Sequence, residues 1–227
     1  MEVKVIASGS TGNCTLLDGN ILLDAGIGFK PLQKALGYKM PDYALITHEH
    51  GDHANLTAVK ELILRGVDVY MTAGTMAALK LQPTYNLHII CNGEKVGEYT
   101  FTAFEVKHDA AEPVGFIVFR GNESVLYLTD TANIPVALPF AQIIIEANFF
   151  EKVLEVSDID DKQRRRILEN HLSIEKLAAW FEQLKRCRHM LSKLKEVHLI
   201  HVSTRHGDGH AFKKLLGGII DVPITVH

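Results

Sequence analysis

The sequence predicts a layered fold that mixes strands and helices, of the α/β or α+β class. Short apolar runs of about four to nine residues recur through the first two-thirds of the chain, each bounded by Gly, Asn, Asp or a charged residue, as strands are. Helical patterns fall between these runs, and the last third is mainly helical. With 227 residues, 47% of them hydrophobic and 22% charged, the chain is expected to form one domain, residues 1–227.

The predicted elements follow from the spacing of apolar residues. The strands are VKVIAS, CTLL, NILLDAG, YALIT, VDVYMT, LHIIC, YTFTAFEVK, VGFIVF, SVLYLT, AQIIIEA, VHLIH and PITV. Helical spacing predicts helices over residues 56–64, 74–81, 173–197 and 211–216. In the longest of these helices, Ser173 is the expected N-cap and Glu175 lies in the first turn.

The composition limits the function and the location of the protein. A formal net charge of −3 argues against a surface that attracts nucleic acid everywhere, but it allows an enzyme with a local basic patch. Cys14, Cys91 and Cys187 are widely spaced and odd in number, as is typical of unpaired thiols in a reducing compartment. No targeting segment is recognisable, and no apolar stretch reaches the roughly 18 residues of a membrane helix. We therefore expect a cytoplasmic protein that does not enter a membrane.

Residues 47–53, THEHGDH, crowd three histidines and an aspartate directly after an apolar run. In an extended segment, residues two apart point the same way, so His48 and His50 can bind one metal ion together. Gly51 is then expected to turn the backbone through angles that other residues resist. This turn would direct Asp52 and His53 elsewhere, and a second ion beside the first is the natural ligand for them.

Four apolar runs each end in a residue that can bind a metal. FEVK is followed by His108, LYLT by Asp130 and VHLI by His201, just as ALIT is followed by His48. In α/β folds the carboxyl ends of neighbouring strands share one edge of the sheet, and sites form there. Asp24 ends a fifth run, ILLD, where it could hold the THEHGDH loop through hydrogen bonds to the ligands.

Taken one at a time, these residues have ordinary explanations. A single histidine at a strand end is usually structural or exposed, and an aspartate such as Asp130 is usually a turn or cap residue. The clustering in residues 47–53 changes this balance, because a surface loop has no structural use for three adjacent imidazoles. We therefore predict metal binding by the histidines and the aspartate of this segment. The remaining histidines are expected to be surface or packing residues: His88, His189, His198, His206, His210 and His227.

The motif HxHxDH, followed by a lone His, a lone Asp and a late His, resembles the metallo-β-lactamase fold superfamily of dinuclear metal hydrolases. The resemblance runs over nearly the whole chain and implies a four-layer αββα sandwich with the site on one rim. It implies one ion bound by His48, His50 and His108, and another bound by Asp52, His53 and His201. Asp130 would bridge the two ions together with a water or hydroxide.

Three further segments resemble the YycJ (WalJ-type) branch of that superfamily: SGSTGNC at 8–14, EPVGF at 112–116 and NHLS at 170–173. The branch is related to phosphodiesterases and nucleases, which implies a phosphoester substrate. The resemblance places Ser8 and Asn13 in an N-terminal loop near the site, where they would bind substrate. It also directs His171 toward the substrate phosphate.

Metal-assisted hydrolysis is the reaction that this resemblance implies. Two divalent ions would lower the pKa of a shared water and stabilise negative charge on the phosphoryl oxygens. Asp52 would orient the nucleophile as well as bind metal, and His171 is the candidate general acid or phosphate donor. A second interpretation of His171 is a histidine that merely precedes the helix capped by Ser173. The mixed ligand set suits Zn²⁺ or Mn²⁺, and Fe²⁺ would also fit.

Two interpretations of the basic segment KQRRR stay open. Its charged residues are Lys162, Arg164, Arg165 and Arg166. In the first interpretation they form a solvated helix face, balanced by the preceding DIDD. In the second they bind the phosphates of a polymer beside the site, as a nuclease with a net negative charge requires locally. Lys107 and Arg205 lie next to expected ligands and could add to such a patch.

Three functional hypotheses follow. The first is a compact nuclease or phosphodiesterase, with DNA or RNA as its partner. The second is a hydrolase of a small molecule such as a lactone, thioester or cyclic nucleotide, with an apolar pocket to which Phe149, Phe150 and Trp180 could contribute. The third is a non-catalytic scaffold, which the complete ligand set argues against. The sequence leaves open DNA against RNA, exo- against endonuclease, the native metal and the oligomeric state.

Overall fold

The structure, a computed structural model, describes residues 1–187 and 189–227. The chain forms two compact units, each with one β-sheet: Met1–Glu94 with Ala110–Val114, and Lys95–Asp109 with Gly115–His227. Two sheets with interspersed helices confirm the predicted α/β class. The single domain over residues 1–227 stays a prediction. Among the described residues, no helix combines the length and the apolar character that crossing a bilayer requires.

The first unit has a six-stranded sheet in which the strands lie in chain order. They are β1 (Val3–Ala7), β2 (Cys14–Leu17), β3 (Ile21–Leu23), β4 (Tyr43–Leu45), β5 (Asp68–Met71) and β6 (Leu87–Ile89). The helices are α1 (Phe29–Ala35), α2 (Leu56–Leu64) and α3 (Ala73–Ala78). β1, β2 and β3 pair antiparallel, whereas β3 to β6 pair parallel. Parallel pairing brings the carboxyl ends of β3 and β4 to the same edge of the sheet.

Local sequence explains where the helices of this unit form. Asn55 caps α2, because its side chain accepts a hydrogen bond from the Ala58 N–H at 3.2 Å. Ala58, Val59 and Leu62 then lie on the buried face of the helix. α1 is not among the predicted helices. Pro31 lies in the first turn, where its missing N–H costs no hydrogen bond.

The second unit has a seven-stranded sheet in the order β13-β12-β11-β10-β9-β8-β7. The strands are β7 (Glu94–Val96), β8 (Tyr99–Glu105), β9 (Val114–Arg120), β10 (Glu123–Leu128), β11 (Gln142–Glu146), β12 (Glu196–Ile200) and β13 (Ile224–Val226). The helices are α4 (Glu151–Glu155), α5 (Asp161–Asn170), α6 (Ile174–Arg186) and α7 (Gly209–Gly217). β10 to β13 pair parallel, and β9 is antiparallel to β10. Every predicted strand is present, and among the strands that the described residues form only the short and polar β7 was not predicted.

The core of the second unit combines the inner strands with α6. All five residues of β11 are buried, as expected of a strand with parallel neighbours on both sides. α6 contributes Leu177, Phe181 and Leu184 to the same core. Glu175 lies in its first turn, as predicted. This core holds the ends of β10, β11 and β12 in a fixed register.

Helix α6 is shorter than the sequence predicts. Ser173 caps it as expected, because its hydroxyl accepts a hydrogen bond from the Lys176 N–H at 3.2 Å. The helix ends at Arg186 instead of continuing to residue 197. The helical spacing is misleading here, because Leu191 and Leu194 still pack against the core but do so from turns after the helix.

Candidate metal centre

The THEHGDH segment forms the loop between β4 and α2 in the first unit. His48 and His53 are buried, whereas His50 and Asp52 are half-buried. One ring nitrogen of His48 lies within 4.8 Å of one of His50. Nε2 of His53 lies 3.7 Å from Oδ2 of Asp52, and the ring centroids of His48 and His53 are 4.3 Å apart. The loop therefore brings all four predicted ligand side chains of this segment together.

Asp24, which follows β3, holds this loop from the interior of the unit. Its side chain is fully buried, and its carboxylate accepts hydrogen bonds from the Thr47 N–H at 2.8 Å and the Thr47 hydroxyl at 2.9 Å. It also accepts a hydrogen bond from Nδ1 of His53 at 2.8 Å. This bond places the proton of His53 on Nδ1 and leaves the lone pair, which a metal requires, on Nε2.

Thr47 extends the influence of Asp24 to His48. Because the Thr47 hydroxyl donates its proton to Asp24, its oxygen accepts a hydrogen bond from Nδ1 of His48, 3.0 Å away. Nε2 of His48 therefore carries a lone pair as well. One buried carboxylate thus sets the tautomer of two imidazoles, directly in His53 and through a hydroxyl in His48.

The N-terminal loop, residues 8–14, lies against the THEHGDH loop. The side-chain amide of Asn13 donates to the carbonyl oxygen of Asp52 at 3.2 Å, and its nitrogen lies 3.0 Å from Nε2 of His53. Ser8 is half-buried in the same loop. The backbone of Gly26 also lies against the THEHGDH loop. A Cβ at this position would be 1.7 Å from the carbonyl oxygen of Asp52, so the close approach of the two backbones requires glycine.

The expected role of Gly51 is wrong. Its φ is not in the left-handed region, and a Cβ added to it would meet no atom within 4 Å. The turn is formed instead by the carbonyl oxygen of His50, which accepts hydrogen bonds from the N–H groups of His53 at 2.9 Å and Ala54 at 2.7 Å. Any residue compatible with a tight turn can therefore occupy position 51.

Three parallel strands of the second unit bring functional side chains to one edge of its sheet. Asp130 follows β10, Glu146 ends β11 and His201 follows β12. Asp130 and His201 have φ values of 41° and 55°. Residues with a side chain adopt such angles at a cost on the order of 1–3 kcal/mol, and this strain is concentrated at functional sites.

Asp130 lies between two imidazoles. Its Oδ2 is 3.6 Å from Nε2 of His108, and its Oδ1 is 3.5 Å from Nε2 of His201. Both distances are too long for hydrogen bonds. They match the separation of about 3.4 Å between ligand atoms on a tetrahedral ion with bonds of about 2.1 Å. Each side chain is at most 5% exposed, so the three groups are shielded from water.

The other nitrogen of each imidazole is held by a hydrogen bond. Nδ1 of His108 donates to the carbonyl oxygen of Asn170 at 3.1 Å, and Nδ1 of His201 donates to Oε1 of Glu146 at 3.0 Å. Both bonds leave the lone pair on Nε2, the nitrogen that faces Asp130. His108 and His201 in the second unit therefore carry the proton on Nδ1, as His48 and His53 do in the first.

Glu146 is a functional residue that our interpretation of the sequence missed. Its carboxylate is fully buried and accepts a second hydrogen bond at Oε1, from Nδ1 of His171 at 2.7 Å. Its Oε2 accepts hydrogen bonds from the N–H groups of Leu172 at 3.0 Å and Thr131 at 3.2 Å. The signal was present, because the run AQIIIEA places a carboxylate at a strand end just as the other ligand-bearing runs do.

Glu146 and His171 form a buried ion pair. Burial by itself lowers the pKa of His171, but the charge and the hydrogen bond of Glu146 outweigh it, so the pKa is raised. Burial by itself raises the pKa of Glu146, but the charge and hydrogen bond of His171, with the hydrogen bond of His201, hold this pKa below its ordinary value. The pair therefore favours a protonated imidazole and an ionised carboxylate.

These donor sets fit divalent metal ions. Imidazole nitrogens and carboxylate oxygens together suit Zn²⁺, Mn²⁺ and Fe²⁺. In the four imidazoles described above, a hydrogen bond at Nδ1 leaves the lone pair on Nε2, as is usual for histidines that bind metal. Ligand atoms of Asp130, Glu146, His171 and His201 also lie within 4.8 Å of one another. The sharing of ligands between two ions stays a prediction.

Arg164, expected to bind substrate, is half-buried and bonded to its own chain. Its guanidinium donates to the carbonyl oxygens of Leu154, Glu155 and Ser157, at or just after the end of α4. The distance is 2.9 Å to Glu155 and 3.0 Å to Ser157. Carbonyls at a helix end lack partners within the helix, so this arginine caps α4.

The other basic residues of α5 line a shallow groove of about 680 Å³. Arg165 is exposed there, whereas Nε of Arg166 donates to Oδ2 of Asp109 at 2.8 Å. The charged residues of the groove are Lys162, Arg165, Arg166, Asp109, Asp160, Asp161 and Glu169. Carboxylates outnumber basic side chains in this set, so the groove is not a uniformly basic phosphate track.

The aromatic residues expected to line a small-molecule pocket are core residues instead. Phe149 is fully buried, and Trp180 belongs to the core of the second unit, with its indole N–H donating to the carbonyl oxygen of Val136 at 3.1 Å. Phe150 packs edge-on against Phe212. The apolar runs that contain them therefore reflect packing, and the expectation that they form a pocket is wrong.

Comparison with known proteins places these residues in a family context. The model of the β-lactamase superfamily domain matches residues 19–208. Exodeoxyribonuclease WalJ of Streptococcus pneumoniae is 28% identical over 197 residues, which cover 77% of this chain and 73% of WalJ. Exodeoxyribonuclease YycJ of Bacillus anthracis is 29% identical over 189 residues, which cover 74% of this chain and 70% of YycJ.

A solved structure shows the same fold. The crystal structure of the metallo-β-lactamase fold protein YhfI from Bacillus subtilis aligns with a TM-score of 0.68 and 17% identity. The alignment covers 99% of this chain and 95% of YhfI. These matches confirm the resemblance to the metallo-β-lactamase fold and to its YycJ branch.

Proposed function

Because this chain belongs to the β-lactamase superfamily and is a hydrolase of the metallo-β-lactamase fold, we propose that it is a metal-dependent exonuclease acting on the phosphodiester bonds of DNA. The observation that carries the proposal is the position of Asp130, whose two carboxylate oxygens face Nε2 of His108 and Nε2 of His201. WalJ and YycJ are exodeoxyribonucleases, which supports DNA as the substrate and cleavage from an end.

The proposed metal ligands are those expected from the sequence. They are His48, His50, Asp52, His53, His108, Asp130 and His201. The hydrogen bonds at Nδ1 support four of the five histidines, since each leaves the nitrogen opposite to it with a lone pair. Divalent ions bound by this set would supply the hydrolytic nucleophile near neutral pH and neutralise charge on the phosphoryl oxygens.

His171 is the proposed proton donor to the leaving group. Its Nδ1 is bonded to Glu146, so the N–H at Nε2 is the group that can reach a substrate. Its side chain is 21% exposed, in contrast to the fully buried Glu146. A protonated imidazole can donate a hydrogen bond to a phosphoryl oxygen or a proton to the departing alkoxide. Glu146 is the positioning residue that orients this ring and favours its protonated form.

We propose fewer substrate-binding residues than the sequence predicts. Asp52 remains the residue that orients the attacking water. Asn13 holds the THEHGDH loop through its amide, so we assign it a positioning role. Arg164 caps α4 and Arg166 is paired with Asp109, which leaves Ser8 and Arg165 as the proposed contacts with the phosphates of the strand.

A nuclease assay tests the proposal. The protein is stripped of metal with a chelator, reloaded with Mn²⁺ or Zn²⁺, and offered end-labelled linear DNA, covalently closed circular DNA and single-stranded RNA. We expect linear DNA to be shortened from its ends, circular DNA to survive, and the chelator or His201→Ala to stop the reaction. If metal-loaded protein leaves every nucleic acid intact while it hydrolyses bis-p-nitrophenyl phosphate, the nuclease proposal is wrong and a small phosphodiester is the substrate.

A further inference from the structure

Asn148, which has no role in the site described so far, bonds to the backbone of the proposed metal ligand His201. Its side chain is buried, and its amide donates to the carbonyl oxygen of His201 at 2.8 Å. The same nitrogen lies 3.1 Å from Nδ1 of His201. Because Nδ1 donates its proton to Glu146, this second approach is a packing contact, and the bond to the carbonyl oxygen is the one that holds His201.

The backbone of His201 explains why such a bond is needed. The last paired residues of β11 and β12 are Glu146 and Ile200, and the N–H of Ala147 still donates to the carbonyl oxygen of Ile200 at 3.0 Å. His201 then adopts a φ of 55°, in the left-handed region. A residue with a side chain stays in this region only where surrounding contacts hold it there. The amide of Asn148 supplies such a contact at the point where the strand pairing ends.

The backbone of Asn148 bonds to two further segments of the site. Its N–H donates to the carbonyl oxygen of Leu172 at 2.9 Å, and its carbonyl oxygen accepts a hydrogen bond from the N–H of Ser203 at 2.9 Å. Leu172 follows His171, and Ser203 lies two residues after His201. The two imidazole rings are nearly parallel, with an interplanar angle of 13° and centroids 5.4 Å apart. Asn148 therefore bonds to both chain segments that carry these rings.

We propose that Asn148 is a positioning residue, which fixes the backbone of His201 and thereby directs Nε2 of this ligand toward Asp130. This inference rests on the metal-dependent function proposed above. Nε2 of His201 lies 3.5 Å from Oδ1 of Asp130. Without the amide, the left-handed backbone of His201 can relax, and the ring then rotates away from this position. Loss of a group that orients a ligand lowers metal affinity by about 10- to 100-fold.

A second buried asparagine provides a matched control. The amide of Asn86 donates to the carbonyl oxygens of Ile63 at 2.9 Å and Val67 at 2.8 Å, and neither residue is a proposed ligand. Asn148→Ala and Asn86→Ala each remove a buried amide that bonds to the backbone, so both should lower the free energy of unfolding. Only Asn148→Ala should change the metal site.

Metal titration of four variants tests the inference. Metal-free Asn148→Ala, Asn148→Ser, Asn86→Ala and His201→Ala are titrated with Zn²⁺ by calorimetry, the visible spectrum of each Co²⁺-loaded protein is recorded, and urea denaturation measures stability. Asn148→Ser leaves a smaller gap than alanine but is too short to form the bond. We expect both Asn148 variants to bind one ion about tenfold more weakly or worse and to shift the Co²⁺ spectrum. Asn86→Ala should keep the affinity and the spectrum of the wild type although its fold is less stable.

Three results would overturn the inference, and they separate it from the proposed function. If both Asn148 variants bind Zn²⁺ and Co²⁺ like the wild type while His201→Ala loses an ion, Asn148 supports the fold alone although the metal site is real. If Asn86→Ala weakens metal binding as much as Asn148→Ala does, the loss follows general stability and not the position of His201. If His201→Ala retains all its metal, the metal-binding role of His201 fails as well.

Discussion

Asp24 accepts a hydrogen bond from Nδ1 of His53 at 2.8 Å, and both side chains are fully buried. The same carboxylate reaches His48 through the hydroxyl of Thr47. A residue outside the proposed ligand set therefore controls which nitrogen of two ligands carries the lone pair. Several consequences of this arrangement, and of its counterpart around Glu146, can be measured.

Asp24→Asn should lower the affinity for divalent metal by about 10- to 100-fold, because an amide stabilises the Nδ1–H tautomers less than a carboxylate does. The affinity is measured by calorimetric titration of metal-free protein with Zn²⁺. Asp18→Asn is a matched control, since Asp18 also has a positive φ, of 51° against 58° in Asp24, but accepts its hydrogen bond from the Glu2 N–H. Equal affinities in the two variants would show that Asp24 does not act on the ligands.

Gly26→Ala should abolish metal binding by the first unit, because the added Cβ would lie 1.7 Å from the carbonyl oxygen of Asp52 and push the loop away. Gly28→Ala is the control, since its nearest contact would be Pro31 at 3.8 Å. The readout is the number of bound ions per chain, measured by elemental mass spectrometry. Full metal content in both variants would mean that the loop tolerates displacement and that its contact with Gly26 is incidental.

Glu146→Gln should lower kcat about 100-fold or more at saturating metal, with a smaller change in KM, because His171 loses the partner that keeps it protonated. His171→Gln should cost a similar factor, and the double variant should cost little more than either single one. Glu196→Gln on β12 serves as the control. Additive losses in the double variant would show that Glu146 and His171 act independently.

Arg164→Ala should destabilise the fold by about 1.5–3 kcal/mol, because the carbonyls at the end of α4 lose a charged donor. Arg165→Ala should leave stability unchanged and reduce the salt dependence of DNA binding. Urea denaturation and binding at several salt concentrations measure the two effects. If Arg164→Ala is as stable as the wild type but binds DNA weakly, Arg164 contacts the substrate and does not stabilise the end of α4.

The contribution of His198 to the free energy of unfolding should decrease as the pH falls through about 6.5, the ordinary pKa of histidine, whereas His171, whose pKa is raised, contributes with the opposite sign. Burial lowers the pKa of His198 despite the nearby charge of Glu196, so the unfolded chain binds this proton more tightly than the folded chain. Nδ1 of His198 also lies 3.1 Å from Nε2 of His227, whose pKa is lowered by burial and by His198. Urea denaturation with EDTA, at about pH 7.5 and about pH 5.5, measures the loss. His198→Gln should reduce it, and an unchanged loss would exclude His198 as a cause.

Much of the fold could be predicted because buried strands have short runs of apolar residues, which are recognisable in the sequence. The run QIIIE lies between two parallel neighbours and has an apolar centre, so its position is visible without a structure. The residues at the strand ends that can bind a metal were also recognisable, because each of them directly follows one of these apolar runs. Helix ends were harder, since the apolar spacing that continues to Leu194 reflects packing from turns.

The parts of the site that escaped prediction depend on contacts between distant residues. Glu146 gains its role from His171 and His201, which are 25 and 55 residues away. Arg164 and Arg166 are two arginines only two residues apart, yet one caps α4 and the other is paired with Asp109. Sequence pattern indicates which side chains can bind a metal or a phosphate, but only the folded chain decides which partner each one meets.

The most direct test of the account is a titration of metal-free protein with Mn²⁺ in which bound metal and the rate of linear DNA degradation are followed together. We predict no degradation without metal and a rate that rises until two ions are bound per chain. His48→Ala and His201→Ala should each prevent this rise. Degradation of DNA at the full rate in excess chelator, or a protein that binds no divalent ion, would contradict the account.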